Sequence, residues 1–173
     1  MASDLPRAAR AANALTLAGA LPFVALTVLL PLGAPLAKAL DLPALGQQIT
    51  FWVGILLVLY AAVILSFLGG IRFGVAVAVP LRPGARRDII VSVLPSLAGW
   101  VLATVGALGL FSGFAAITAG ALALLVACFL LQWAWDRRAA TAGTVPEWFG
   151  RMRSRVTAIV APTLAVAALV ITI

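Results

Sequence analysis

An uncharged, strongly apolar run in the first half of the sequence constrains the fold most. Residues 50–70 contain no charged side chain. A helix of about 20 apolar residues can cross the hydrocarbon core of a bilayer, so this run predicts a membrane-spanning helix. Four further apolar runs follow the same plan, with short basic segments between them. We therefore predict one domain over residues 1–173, an all-α polytopic membrane helix bundle. The predicted spans are residues 11–32, 50–70, 89–110, 115–135 and 156–173.

The first apolar run, residues 11–32, is longer than the core of a signal peptide, which has about 7–15 residues. We expect it to be a retained helix. Pro22 predicts a kink inside it, and Pro31 and Pro35 predict its end, because proline lacks the N–H that continues a helix. A loop over residues 33–48 is expected next. Kinks are also predicted at Pro95 and Pro162, which either improve packing or frame a cavity.

The basic residues predict the topology. The net charge is +7, which in a soluble protein would suggest nucleic acid, but only 10% of the residues are charged and the basic ones lie between apolar runs. Anionic lipid headgroups and topology explain them better, since basic loops stay in the cytoplasm. With five spans, the arginines of residues 7–10, 72–87 and 137–155 share one side, and only Lys38 lies on the other. We predict the N-terminus inside and the C-terminus outside.

Residues 136–155 are predicted to be the longest polar loop. Thr144 and Glu147 have the spacing of a capping box, with Pro146 in the first helical turn. A short basic helix over residues 145–154 is expected to follow, with Glu147 and Arg151 paired at i,i+4. Trp148 gives this helix an apolar side, so we predict that it lies on the membrane surface.

Small residues form a stripe along the second span, because Ala62, Ser66, Gly70, Gly74 and Ala78 recur every four residues. Such a stripe lets another helix backbone approach closely, and Gly70 with Gly74 has the GxxxG spacing. The stripe either packs inside the chain or docks a second copy or a partner. The Ser66 hydroxyl is expected to bond back to its own helix.

Arg72 follows this stripe. An arginine in a membrane segment is costly and is a site hypothesis by default. At the far end of a span, its side chain can snorkel to the headgroups or pair with Asp88. The alternative is contact with a ligand or an anion. The candidate functional or packing residues of the chain are Ser66, Gly69, Gly70, Arg72, Gly74, Asp88, Pro146, Trp148 and Arg151.

The sequence YAAVILSFLGGIRFG at residues 60–74 resembles the transmembrane-protein-69-like family of unknown function. Residues 17–23, LAGALPF, and residues 145–149, VPEWF, followed by residues 151–157, agree with it in the same order. A tryptophan often stands in the family where this chain has Phe73. The resemblance implies a small multi-pass protein of the bacterial inner membrane or its mitochondrial counterpart. It implies no established activity.

Residue types that serve catalysis are scarce. The chain has no histidine and one cysteine, Cys128, so no internal disulfide can form. The five acidic residues are scattered, and none lies at i,i+3 or i,i+4 from another acid. No acid is expected deep in a span, which argues against a proton-coupled pump. We predict no catalytic residue, no cofactor and no metal site.

These patterns favour a non-enzymatic accessory, assembly or scaffold component of the bacterial inner membrane. It would pack with partner membrane proteins in a larger complex or with itself as a homo-oligomer. The alternative is a small transporter or channel for an anion or lipid that uses Arg72. A third hypothesis, an enzyme acting on lipid headgroups, requires Arg72, Asp88 and Arg151 to converge on one pocket.

Overall fold

The computed structural model describes residues 7–172, and this part of the chain is built from α-helices joined by short turns. It contains no strand, which confirms the all-α prediction. The ends of the predicted domain, residues 1–6 and 173, lie outside the described residues. The helices are α1 (Arg7–Ala18), α2 (Leu21–Leu29), α3 (Gly33–Ala39), α4 (Pro43–Ala78), α5 (Ala85–Ser92), α6 (Leu94–Phe111), α7 (Ala115–Thr141) and α8 (Glu147–Val170), with a 3₁₀ turn at Leu30–Leu32 between α2 and α3.

The helices group into segments that are long and apolar enough to cross a membrane. Within residues 7–172 there are five of them, as predicted, and each extends beyond the predicted span at one or both ends. The protein is thus a multi-pass helix bundle whose outward side chains are largely apolar. The five segments are Ala9–Ala39, Ala44–Ala78, Ala85–Phe111, Ala115–Thr141 and Glu147–Val170.

The prolines of the first segment act differently from one another. The helix breaks next to Pro22, as predicted, and the Tyr60 hydroxyl donates to the Gly19 carbonyl at this break, at 2.9 Å. The α-helix α2 ends at Leu29, just before Pro31, as predicted, but the helical path continues past both prolines through the 3₁₀ turn and α3. Pro31 lies in the 3₁₀ turn and Pro35 in the first turn of α3, where an N–H has no intrahelical partner to lose. The connection is residues 40–42 rather than 33–48.

The other two predicted kinks also differ in outcome. Near Pro95 the path is interrupted, since α5 ends at Ser92 and α6 begins at Leu94. Pro162 lies inside α8 without ending that helix.

The prediction of a separate surface helix over residues 145–154 is wrong, because residues 147–154 are the first turns of the continuous helix α8. Phe149 and Met152, the apolar side of these turns, are buried against Ala139 of α7 rather than in lipid. The predicted polar loop of residues 136–155 shrinks to residues 142–146. The N-cap position is occupied by Pro146, and no side chain caps this helix.

A tight turn sends the chain from α7 back along α8. Gly143 has a φ of 70°, a left-handed conformation that suits glycine. The N–H groups of Gly143 and Thr144 donate to the carbonyls of Ala140 and Ala139, at 3.1 and 2.9 Å, which is the Schellman pattern of a helix end. The end of α7 and the start of α8 are therefore held side by side.

The core lies around α4, which packs against α2, α3, α5, α6 and α7. Leu57 and Leu65 of α4 are fully buried with Leu125 of α7 and Leu164 of α8. The approach of α6 to α4 is close, since a Cβ on Gly99 would lie 3.0 Å from the Ala62 carbonyl oxygen.

Candidate functional site

Four helix ends meet at one end of the bundle, namely the ends of α4 and α7 and the starts of α5 and α8. Arg72 is six residues before the end of α4, Asp136 is five before the end of α7, and Arg153 is six after the start of α8. With a rise of about 1.5 Å per residue, these side chains start roughly 8–9 Å inside the helix ends. We call Arg72, Asp88, Asp136 and Arg153 the charge cluster.

Asp136 lies at the centre of the charge cluster and is 1% exposed. Its Oδ2 accepts a hydrogen bond from Arg153 Nε at 2.9 Å. Its Oδ1 accepts one from Gln132 Nε2 at 3.4 Å and lies 3.9 Å from Arg72 Nε. A buried carboxylate is tolerated when it is paired and hydrogen-bonded, and Asp136 meets both conditions.

Arg72 is 2% exposed, so it does not snorkel to the headgroups. Its Nη2 lies 3.5 Å from Asp88 Oδ2, which realises the predicted pair with Asp88. Its Cζ lies 4.5 Å from the centroid of the Trp135 ring, a cation–π distance. Asp88 also accepts a hydrogen bond from Arg82 Nη2 at 2.6 Å. Arg72 is therefore held between two carboxylates and an aromatic face.

The four residues of the charge cluster sum to zero, but Asp88 is 17% exposed, and the fully buried part of the cluster is not neutral. Two nearly inaccessible arginines, Arg72 and Arg153, face one nearly inaccessible carboxylate, Asp136, which leaves a net charge of +1. Nε and Nη1 of Arg72 and Nη2 of Arg153 are buried without a hydrogen-bond partner in residues 7–172. A buried donor without a partner costs about 1–3 kcal/mol. These N–H groups are therefore free to donate hydrogen bonds to an anionic oxygen or to ordered water.

Sequence reasoning missed Asp136 and Arg153 as site residues. It ended the fourth span at residue 135, whereas α7 continues to Thr141 and keeps Asp136 inside the protein. A signal was available in the spacing, because Gln132 and Asp136 lie at i,i+4 on one face directly after an apolar run.

The small-residue stripe of α4 divides into two halves. Ser66 Oγ donates to Ser96 Oγ of α6 at 2.9 Å, so the prediction of a bond back to its own helix is wrong. Gly69, which adjoins the stripe, is in close contact with the chain, since a Cβ there would lie 2.5 Å from the Ser92 carbonyl oxygen. Gly70 and Gly74 are exposed, and a Cβ on either would meet nothing within 4 Å. The stripe packs inside the chain over its first half only.

The predicted residues at the start of α8 stay apart from Arg72. Trp148 is half-buried and packs edge-on against Phe149 at 6.3 Å, while Pro146 is exposed. Arg151 is exposed and pairs with Glu147 at 2.9 Å, as predicted. Two residues along a helix turn the side chain by about 200°, so Arg153 rather than Arg151 faces the charge cluster.

Two cavities lie in different parts of the bundle. A crevice of about 220 Å³ reaches Arg153 and Thr157 of α8, and a wider cavity of about 890 Å³ at the opposite end adjoins Lys38 and Asp41. Arg72 lines neither of them. Among residues 7–172, no group of three or more metal-binding side chains comes together.

Comparison with known proteins gives one match. A family model described as "Protein of unknown function (DUF3429)" matches residues 8–169 of the chain. No curated protein and no solved structure matches it.

Proposed function

The chain belongs to the DUF3429 family of proteins of unknown function, and from this premise we propose that it is a non-enzymatic accessory or assembly component of a membrane complex. In this proposal, the second half of α4 docks a partner helix or a second copy of the chain. We further propose the bacterial inner membrane as its location, with the N-terminus inside. The resemblance to the transmembrane-protein-69-like family and the arrangement of the basic loops support these two points.

The exposed face at Gly70 and Gly74 carries the proposal. Glycine inside a helix costs about 0.5–1 kcal/mol relative to alanine, yet nothing in the chain occupies the space that a Cβ would take at these two positions. Phe67 and Phe73 are exposed, at about 60° on either side of Gly70 around the helix. Together they form a shallow notch on α4. A notch of this kind lets a second backbone approach closely, which is how helices associate in lipid.

The charge cluster supports a scaffold rather than a reaction centre. Its carboxylates bind arginines of neighbouring helices within the chain: Asp88 joins α5 to α4, and Asp136 joins α7 to both α4 and α8. These contacts hold α4 against α5 and α7.

The experiment uses the double variant Gly70→Leu/Gly74→Leu in the full-length chain. Leucine fills the notch, so we expect an assembly larger than one chain in gentle detergent to be lost. Gly120→Leu is the matched control, because Gly120 is another exposed helical glycine with open space around it. A crosslink formed by Gly74→Cys with itself identifies the partner as a second copy. The proposal is wrong if the Gly70→Leu/Gly74→Leu protein keeps the assembly, or if the parent chain is a single copy without a partner.

A second candidate is a small transporter for an anion or a lipid that uses Arg72. It is favoured by the net charge of +1 that Arg72, Asp136 and Arg153 carry together. It is also favoured by the buried Nη1 of Arg72, which has no hydrogen-bond partner in residues 7–172. Phosphate uptake into vesicles should then be lost in Arg72→Ala and kept in Arg86→Ala, since Arg86 is exposed. Equal uptake by both variants, or none by the parent protein, counts against this candidate.

A further inference from the structure

The crevice of about 220 Å³ has apolar walls contributed by α1, α2, α4, α7 and α8. Leu15 of α1 and Phe67 of α4 belong to its rim, since they are 74% and 64% exposed. Exposed side chains of this kind on a spanning helix face lipid. The crevice therefore lies where an acyl chain can reach it from the bilayer.

Two polar atoms in the crevice have no partner. Nη2 of Arg153 and Oγ1 of Thr157 are buried and make no hydrogen bond within residues 7–172. The two residues lie at i,i+4, so they share one face of α8. Threonines in apolar helices usually bond back to a carbonyl one turn earlier, as Thr16 and Thr163 do here at 2.7 Å. Thr157 does not, which leaves its hydroxyl available to a ligand.

The polar and apolar parts of the crevice are arranged in the same order as those of a membrane lipid. Arg153 starts roughly 9 Å from the beginning of α8, and Thr157 lies about 6 Å deeper. Beyond them the lining is apolar, with Val160 on α8 and Phe23 on α2. The polar end is thus nearest the end of the bundle, and the apolar end is nearest the middle of the membrane.

We propose that this crevice binds an anionic phospholipid. Its phosphate oxygens accept hydrogen bonds from Arg153 Nη2 and Thr157 Oγ1, and one acyl chain lies along Leu15 and Phe67. The negative charge offsets the net +1 of Arg72, Asp136 and Arg153, and a charged hydrogen bond to an arginine fork is among the strongest that proteins make. Pockets that enclose a free ligand measure about 300–1,000 Å³, so this smaller crevice suits a molecule whose remainder stays in the bilayer.

The proposal does not depend on partner docking at the notch of α4. Ordered water is the competing occupant, because it also satisfies buried donors. A crevice that holds only water does not distinguish between lipids, whereas a crevice that binds an anionic phospholipid does. The test is therefore built on lipid discrimination.

The test compares lipid binding by the full-length protein and its variants by native mass spectrometry. The probes are phosphatidylglycerol and phosphatidylcholine with the same acyl chains, together with inorganic phosphate. Thr157→Val preserves the shape of the side chain and removes only the hydroxyl, so it should fold. Thr163→Val is the matched control on the same helix, outside the crevice lining. Arg153→Lys keeps the charge beside Asp136 and removes the fork.

We expect a preference for phosphatidylglycerol over phosphatidylcholine that falls about tenfold in Thr157→Val, the factor that corresponds to one hydrogen bond to a charged group. Arg153→Lys should lower this preference as well, and Thr163→Val should leave it unchanged. Equal binding of both lipids by the parent protein overturns the proposal. An unchanged preference in Thr157→Val also overturns the proposal, because the hydroxyl would then bind water rather than the lipid. Binding of inorganic phosphate as strong as that of phosphatidylglycerol would overturn it too, because it would show a site for a soluble anion.

Discussion

Replacing Asp136 with asparagine tests the charge cluster most directly. The side chain keeps its shape, but the carboxylate that faces Arg72 and Arg153 is lost. The net charge of these three residues rises from +1 to +2 in a place where each is almost fully buried. The double variant Asp136→Asn/Arg153→Gln returns the net charge to +1 without restoring the carboxylate.

The distances set the size of the effect. Asp136 lies 2.9 Å from Arg153 Nε and 3.9 Å from Arg72 Nε. At an effective dielectric constant of about 20, unit charges at these separations attract by about 6 and about 4 kcal/mol. The cost of desolvation offsets much of this, and removing one partner of a buried pair typically costs about 3–5 kcal/mol. For a chain of this length, that loss lowers Tm by about 10 °C.

The assay is thermal unfolding in detergent, followed by size-exclusion chromatography of the protein that survives heating. Glu147→Gln is the control, because it makes the same chemical change in an exposed pair that contributes about 0.5 kcal/mol. We expect Asp136→Asn to be much less stable than the parent, with the double variant between them. A Tm for Asp136→Asn within about 2 °C of the parent would refute the electrostatic account. A double variant less stable than Asp136→Asn would refute it as well.

Two further predictions concern packing and topology. Gly69→Ala should destabilise the bundle, because its Cβ would lie 2.5 Å from a carbonyl oxygen at the α5–α6 junction, whereas Gly70→Ala should leave stability unchanged or raise it by up to about 1 kcal/mol. The same thermal assay checks both, and equal Tm values for these two neighbours would contradict the packing of α4. In a Cys128→Ser background, we expect Thr144→Cys to react with a membrane-impermeant thiol reagent only from the cytoplasmic side and Ser112→Cys only from the opposite side. Labelling of both from one side would contradict the five-span topology.

The number and nature of the spans could be predicted because bilayer thickness sets a length that an uncharged run reveals directly. The ends of the helices could not be predicted in the same way, because several helices continue past the apolar runs. Residues 71–78 extend α4, and residues 136–141 extend α7, although both stretches contain charged side chains. A hydropathy pattern ends a span at such residues, whereas the protein pairs Arg72 and Asp136 with opposite charges and keeps both stretches helical.

The charge cluster was foreseen at Arg72 and Asp88 and missed at Asp136 and Arg153. The first pair was found because an arginine near an apolar run is conspicuous and an acid follows it closely. The second pair lies across the α7–α8 turn, and its partnership depends on which faces of two helices meet. Single-sequence periodicity leaves that choice open, as it does for Arg151 and Arg153, whose side chains point to different faces of one helix.

The salt bridges of Arg72 imply an order of assembly during synthesis. The ribosome adds Asp88 16 residues after Arg72, but it adds Asp136 64 residues after Arg72. At roughly 5–20 residues per second, Asp136 emerges roughly 3–13 s later than Arg72. An unpaired arginine in the bilayer is costly, so Asp88 is the earlier of its two carboxylate partners. Asp88 is thus available to Arg72 while the ribosome is still adding residues, and α7 later supplies Asp136 as the second carboxylate partner.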